Sequence, residues 1–351
     1  MTLIERAFEL VSVNSVSGNE SQIAALVFDQ LRSAAHLDVE RIGDNVVARS
    51  TGQRRRRVII AGHLDTVPGD PTVAELSAGV LRGLGACDMK GSLAVMVQCA
   101  VDPSPHAFEV TWIFYAREEI ARSQSGLLEL NELRPDLLVG EMALLAEPTG
   151  GVVEAGCQGT LRIEVTLRGQ RAHTARPFMG RNAIHRLGEV ISRVANYEPR
   201  EVFVDDVMYT EQIQIVMVNG GVAANVVPDE ASCTINHRIA PDRTVDEAAA
   251  SVRALLADVL EESDQFVVID SSPPAPPSLA HELIQVLIGA TGEPARAKLG
   301  WTDVATFYEM GVPAANFGAG DPLLAHRSDE FVTADQLDQF DRALRQFLDT
   351  N

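Results

Sequence analysis

Two hydrophobic rhythms run along this chain. In the first 150 residues, apolar runs of strand length alternate with segments of helical spacing. "SQIAALVFDQLRSA" repeats its apolar side chains every three to four positions, as an amphipathic helix does. "NVVARS", "RVIIAGHLD" and "FEVTWIFYA" are short, nearly continuous β-branched and aromatic runs, and "GSLAVMVQCAV" reads as a buried helix. A further strand is expected near the end of "DLLVGEMALLAEP". Strands and helices in alternation predict an α/β domain with a mainly parallel sheet covered by helices. In such sheets, sites gather beyond the carboxyl ends of the strands.

The middle of the chain changes period. "TLRIEVTLRG" alternates as a half-buried strand, "GRNAIHRLGEVISRVANY" is helical, and "EQIQIVMVNGG" and "EASCTINHRIAP" read as two antiparallel strands. "TVDEAAASVRALLADVLEE" follows as a helix with a Thr cap, then "FVVIDS" as a strand. The order βαββαβ predicts a ferredoxin-like domain. The Pro-rich "SSPPAPPS" suits a linker. "HELIQVLIGATG", "AANFGAG" and "TADQLDQFDRALRQFL" then return to helix, strand and helix. The predicted organisation is one α/β domain, residues 1–159 and 273–351, split by a lid domain at residues 160–272.

Composition narrows the function classes. The 351 residues are 46% hydrophobic and 22% charged, the balance of an ordinary globular protein. Lys plus Arg is 29 against 49 for Asp plus Glu, a formal charge of −20 that disfavours nucleic acid as a partner. The four cysteines, Cys87, Cys99, Cys157 and Cys233, show no Cys-x-x-Cys spacing and fit a reducing compartment. "MTLIERAFELVSV" mixes acids with its apolar residues and reads as an amphipathic helix, not a signal peptide. No run is long enough for a bilayer span, so no membrane partner and a cytoplasmic location are expected.

Chemistry-bearing residues fall just after the apolar segments. His63 and Asp65 end "VIIAGHLDT", Asp88 sits in the glycine-rich "GLGACDMKG", and Glu118 and Glu119 close "IFYAREEI". Glu147 lies in "LLAEPTGG" and His326 in "NFGAGDPLLAHRSDE". Gathered at one sheet edge, these carboxylates would repel one another unless cations were present. Two divalent ions carry four positive charges. Asp88, Glu119 and Glu147 would cancel three, leaving one for a hydroxide. Mixed imidazole and carboxylate donors suit zinc, with cobalt or manganese as substitutes. Asp65, two residues after His63, is placed to accept the other imidazole N–H.

This ordered set resembles the M20 family of metallopeptidases and deacylases. The resemblance implies that Asp88 bridges two Zn2+ ions, with His63 and Glu147 on one and Glu119 and His326 on the other. It implies Glu118 as general base, and a cis peptide after Asp88. Within the family, "RAHTARPFMGRNAIH", "GGVAANVVPDEASCTINHRIAPDR" and "GWTDVATF" are similar to the succinyl-diaminopimelate desuccinylases, the actinobacterial type above all. Those enzymes hydrolyse N-succinyl-L,L-diaminopimelate, a small anionic N-acyl amino acid. The likeness implies that His173 reaches the active site of a partner subunit in a homodimer formed through the lid. It also implies that Asn225, Arg238 and Thr302 contact the substrate. Other M20 deacylases or dipeptidases, and a non-catalytic binding protein on this scaffold, are the alternatives. Arg117 stands where the family more often has Asp or Cys.

Overall fold

The computed structural model describes residues 1–52, 54, 56–69 and 74–350. Two compact units divide the chain. The first comprises Met1–Gly156, Pro277–Arg296 and Thr302–Asn351, and the second Cys157–Pro276 with Ala297–Trp301.

The first unit is built on an eight-stranded sheet. At its centre lie the parallel strands Glu109–Tyr115, Arg57–His63, Met142–Leu145 and Ala314–Asn316, in that spatial order. Antiparallel strands flank them: Leu37–Ile42 and Asn45–Ser50 on one side, and Glu154–Ala155 next to Ala314–Asn316 on the other. The central runs are continuous in sequence because both faces are covered. Ile59 and Ile60 are adjacent in the chain, point to opposite faces, and are both fully buried. On one face Val58, Ile60, Trp112, Phe114 and Leu144 share a core with Leu93 and Val97 of the helix Gly91–Val101 and with Phe340 and Phe347 of Ala334–Asp349. Helix ends carry their own signals. Thr2 with Glu5 and Thr333 with Gln336 form capping boxes at Leu3–Val11 and Ala334–Asp349. The carboxyl ends of three central strands deliver His63, Glu118 with Glu119, and Glu147 to one edge of the sheet.

The second unit carries a four-stranded antiparallel sheet in the spatial order Gln212–Gly220, Glu230–Ile239, Gly159–Arg168 and Gln265–Ser272. Leu161, Ile163, Val165 and Leu167 face the helices Ala183–Ala195 and Val245–Leu255 through Leu187, Val190 and Val252. Their neighbours Arg162 and Glu164 are exposed on the other face. The Pro-rich stretch is not a free connector. Ala275 and Cys157 exchange backbone hydrogen bonds of 3.1 and 3.0 Å, and the Trp301 indole donates to the Pro273 carbonyl at 3.1 Å. A hairpin that the hydrophobic pattern did not suggest joins Glu201–Val204 to Val207–Thr210. Its two-residue turn puts Asp205 and Asp206 at φ of 46° and 63°, a left-handed pair that Asp tolerates although Asn-Gly or Asp-Gly is the usual signal. Among the described residues, no helix is long and apolar enough to cross a membrane.

Candidate functional site

Asp88 is the centre of the site. It follows a glycine-rich turn in which Gly85 takes a φ of 80°, and the peptide Asp88–Met89 is cis. Its two carboxylate oxygens face different imidazoles: Oδ1 lies 3.1 Å from His63 Nε2, and Oδ2 lies 3.4 Å from His326 Nε2. His326 Nε2 also stands 2.8 Å from Glu119 Oε1. Ligand atoms of His63, Asp88 and Glu119 lie within 4.8 Å of one another. Glu147 is buried, and its charge bears on Glu118. The five residues expected to hold metal thus fall into one neighbourhood of the first unit, although 263 positions separate His63 from His326 in the chain.

The strand-end pair is held by its backbone. Four successive amides each donate to a side-chain acceptor: Ala116 to Asn45 Oδ1 at 3.0 Å, Arg117 to Glu20 Oε1 at 3.1 Å, and Glu118 and Glu119 to Asp65 Oδ1 and Oδ2 at 3.0 Å each. Asp65 Oδ2 also accepts from the Ser17 hydroxyl at 2.6 Å. Asp65 is expected to accept the other His63 N–H, and the nearest acceptor of His63 Nδ1 is the Asp65 carbonyl, at 3.0 Å, with the carboxylate Oδ1 at 3.6 Å. The carboxylate is engaged mainly in aiming the two glutamates. A carbonyl partner still fixes the tautomer that leaves Nε2 free to face Asp88.

Arg117 acquires a local explanation. It sits at φ 62°, a left-handed conformation that costs a non-glycine residue about 1 kcal/mol or more. Its guanidinium compensates by donating to the Gln124 carbonyl at 2.8 Å and to Glu129 Oε2 at 2.6 Å. Glu129 Oε2 in turn accepts from the Asn45 amide at 2.9 Å, so the arginine closes the network that holds Ala116. His326, the other end of the site, is also left-handed, at φ 63°.

Crowding shifts the acidities. Burial pushes the Glu118 carboxyl well above the usual range, and Glu147, Glu119 and Asp303 add to it against His63. Burial opposes ionisation of Asp88 too, but His326 and His63 outweigh it and hold the carboxyl below its ordinary range. Hydrogen bonds to Asp88 and Glu119 raise His326 to about 10. Burial alone would lower His63, yet Asp65 and Asp88 drive it well upward. Such imidazoles hold protons that a divalent cation would replace. The donor set, two imidazole nitrogens converging with carboxylates in a partly buried cluster of negative charge, therefore fits divalent metal. A raised Glu118 beside it fits general acid–base work near neutral pH.

Of the residues expected to touch substrate, three belong to the second unit and Thr302 to the first. His173 pairs with Val226 in a short ladder, and the Asn225 carbonyl accepts from Thr174 at 3.1 Å, which brings His173 and Asn225 together in the second unit. His173 is exposed, and its Nδ1 accepts from the Ala175 amide at 3.0 Å, so Nε2 carries the donor proton. Arg238 lies on the four-stranded sheet opposite Thr160 and Gln212, half-buried. Thr302 is buried in the first unit, with its hydroxyl 2.9 Å from Asn316 Oδ1. Sequence reasoning missed Glu20, Ser17 and Asp303. Glu20 and Asp303 are fully buried carboxyls, and a carboxylate buried inside a globular fold needs a reason.

The chain is 42% identical over 346 residues to the succinyl-diaminopimelate desuccinylase of Corynebacterium glutamicum, covering 97% of this chain and 94% of that one. An aminopeptidase PepT from Bacillus cereus shares the fold with a TM-score of 0.80 at 18% identity, covering 99% of this chain and 97% of that one. The Bacillus subtilis YXEP protein, described as a dinuclear metal-binding peptidase of the M20 family, superposes with a TM-score of 0.73 at 15% identity, covering 99% and 96% of the two chains. Residues 59–350 of the 351 match the sequence model of one family. With the ligand cluster, the parallel core and these likenesses together, the chain belongs to peptidase family M20/M25/M40.

Proposed function

We propose that this chain is a metal-dependent amidohydrolase that cleaves N-succinyl-L,L-diaminopimelate to succinate and L,L-diaminopimelate. The observation that carries the reading is Asp88, whose two oxygens face His63 and His326, beside the half-buried Glu118. Identity of 42% with a desuccinylase across 97% of the chain supports the substrate.

Asp88, His63, Glu119, Glu147 and His326 would hold two metal ions, zinc by preference for this mixture of nitrogen and oxygen donors. Bound there, the pair would acidify water and polarise the scissile carbonyl. The chain's own residues do the rest. Asp65 fixes the amides of Glu118 and Glu119 so that the two neighbours keep separate aims. Glu118 takes a proton from the attacking water and returns it to the leaving amine. Its raised pKa suits both halves of that task. We read the second unit as a ferredoxin-like lid, in keeping with its strand order. His173 would donate from Nε2 to the developing oxyanion of a partner subunit's substrate. Asn225 and Thr302 would contact the substrate, and Arg238, desolvated and repelled by Arg162, would gain from a substrate carboxylate. A homodimer through this unit is supported by the outermost strand Gln212–Gly220, which exposes Val216, Met217 and Val218, and by Ile184 and Ile191 exposed on the helix Ala183–Ala195.

The test is a comparison of substrates with the zinc-loaded protein. N-succinyl-L,L-diaminopimelate should exceed N-acetyl-L-ornithine in kcat/KM by roughly 100-fold or more, as expected where a charged group is read by dedicated polar contacts. Faster hydrolysis of the acetyl substrate would assign the chain to another M20 activity. No hydrolysis of either would favour a binding protein.

A further inference from the structure

We infer that Glu330 is a positioning residue for the metal centre, a buried carboxylate that locks the loop carrying Asp88 to the segment carrying His326. The inference rests on the metal-site reading above. Glu330 is 2% exposed and lies four residues after His326. Its Oε1 accepts from the Cys87 amide at 2.7 Å and from the Asp88 amide at 2.9 Å, and its Oε2 accepts from the Gly85 amide at 3.1 Å. Its own carbonyl accepts from the Gly83 amide at 3.1 Å. A single residue thus holds four amides of a six-residue loop.

The chemistry of the loop explains why a carboxylate serves there. Successive backbone N–H groups in a tight turn converge into an anion-binding concavity. An ionised carboxylate is acceptor-only and offers two oxygens to fill it. The loop's own bonds, Ala86 amide to Gly83 carbonyl at 3.0 Å and Lys90 amide to Gly85 carbonyl at 2.8 Å, leave these three amides to Glu330. Immediately beyond, the strand Phe331–Thr333 pairs with Val80–Arg82. That pairing anchors both segments at one end, and Glu330 extends the anchor to the two ligands. Asp88 must present its oxygens to His63 at 3.1 Å and to His326 at 3.4 Å at once, so a loop that slides loses both contacts together. The clamp makes the two sides of the centre move as one body.

Glu330→Gln tests this. The shape is retained, but a carboxamide turns an N–H2 group toward backbone donors. Two measurements are made beside the wild type: amide hydrogen exchange of the metal-free protein, and titration with cobalt(II) followed in its visible absorption. The expected result is faster exchange confined to peptides spanning residues 83–90 and 326–330, with the central strand Arg57–His63 unchanged. Affinity for the second cobalt should fall by roughly 10- to 100-fold, the usual effect of removing a group that orients a ligand. Exchange that rises while cobalt affinity and spectrum stay at wild type would reduce Glu330 to a purely structural brace and overturn the inference. Unchanged exchange would also overturn it. If the wild type takes up no cobalt, the metal-site reading fails and the inference that Glu330 positions a metal centre fails with it. Should Glu330→Gln not fold, Glu330→Asp, which keeps the charge one methylene short, is read by the same two measurements.

Discussion

The two sheets of this chain solve opposite problems. In the first unit, neighbouring residues of a central strand are both core: Ile59 and Ile60 are each fully buried. In the second, neighbours divide, with Ile163 buried and Glu164 exposed. A sheet covered on both faces has no solvent side on which to place chemistry, so its reactive groups sit past the strand ends, where His63, Glu118 and Glu147 are found. A sheet covered on one face keeps a broad polar surface, here with Arg162, Glu164, Asn236 and Arg238 along it. The first architecture concentrates charge in a small, partly buried cluster. The second spreads it along the uncovered face of its sheet.

Substitution can break this contrast. The largest effects should come from Ile59→Ala, Ile60→Ala and Ile163→Ala, each costing about 2–5 kcal/mol by loss of burial and cavity formation. Denaturant unfolding reads the cost. If either Ile59 or Ile60 proved neutral, the first sheet would not be closed on both faces. Next comes Glu211, the fully buried carboxylate of the second unit, which accepts from the Ala240 amide at 2.9 Å and from Arg243 Nε at 2.9 Å. Glu211→Gln should cost about 3 kcal/mol, the low end for a broken buried ion pair because the arginines still reach water. Burial opposes ionisation of Glu211, but His237, the Ala240 amide and Arg243 outweigh it and lower its pKa from the ordinary 4.5. Its folded pKa is therefore below its unfolded one. The stabilisation is complete above about pH 4.5 and drains away as pH falls through the lower folded value. Stability of the wild type and of Glu211→Gln should converge on acidification, and a gap that persists at low pH would contradict this assignment. The smallest effect is Glu164→Ala, within about 0.5 kcal/mol.

Sequence carried much of this. Period and run length revealed both sheets, because a strand's pattern records how many of its faces are covered. The candidate ligands could be picked out because each follows an apolar segment, and strand ends at one sheet edge converge. What stayed hidden depends on main-chain amides. Glu20, Asp65 and Glu330 act by accepting backbone N–H groups from 53 to 245 residues away, and an amide leaves no mark in a sequence. Arg117 was visible as a departure from the family pattern, yet its cause lies in Gln124 and Glu129, partners on a following turn. The Asp205–Asp206 hairpin escaped because its turn lacks glycine.

The central claim is that adjacent residues at one strand end divide the work, Glu119 on a metal and Glu118 on the proton. Glu118→Gln and Glu119→Gln, each assayed for bound zinc and for turnover of N-succinyl-L,L-diaminopimelate, test it most directly. The prediction is that Glu118→Gln keeps two zinc ions per chain and loses turnover by roughly 100-fold to 10,000-fold, whereas Glu119→Gln loses about one zinc. Wild-type turnover in Glu118→Gln, or loss of zinc from it equal to that of Glu119→Gln, would contradict the division.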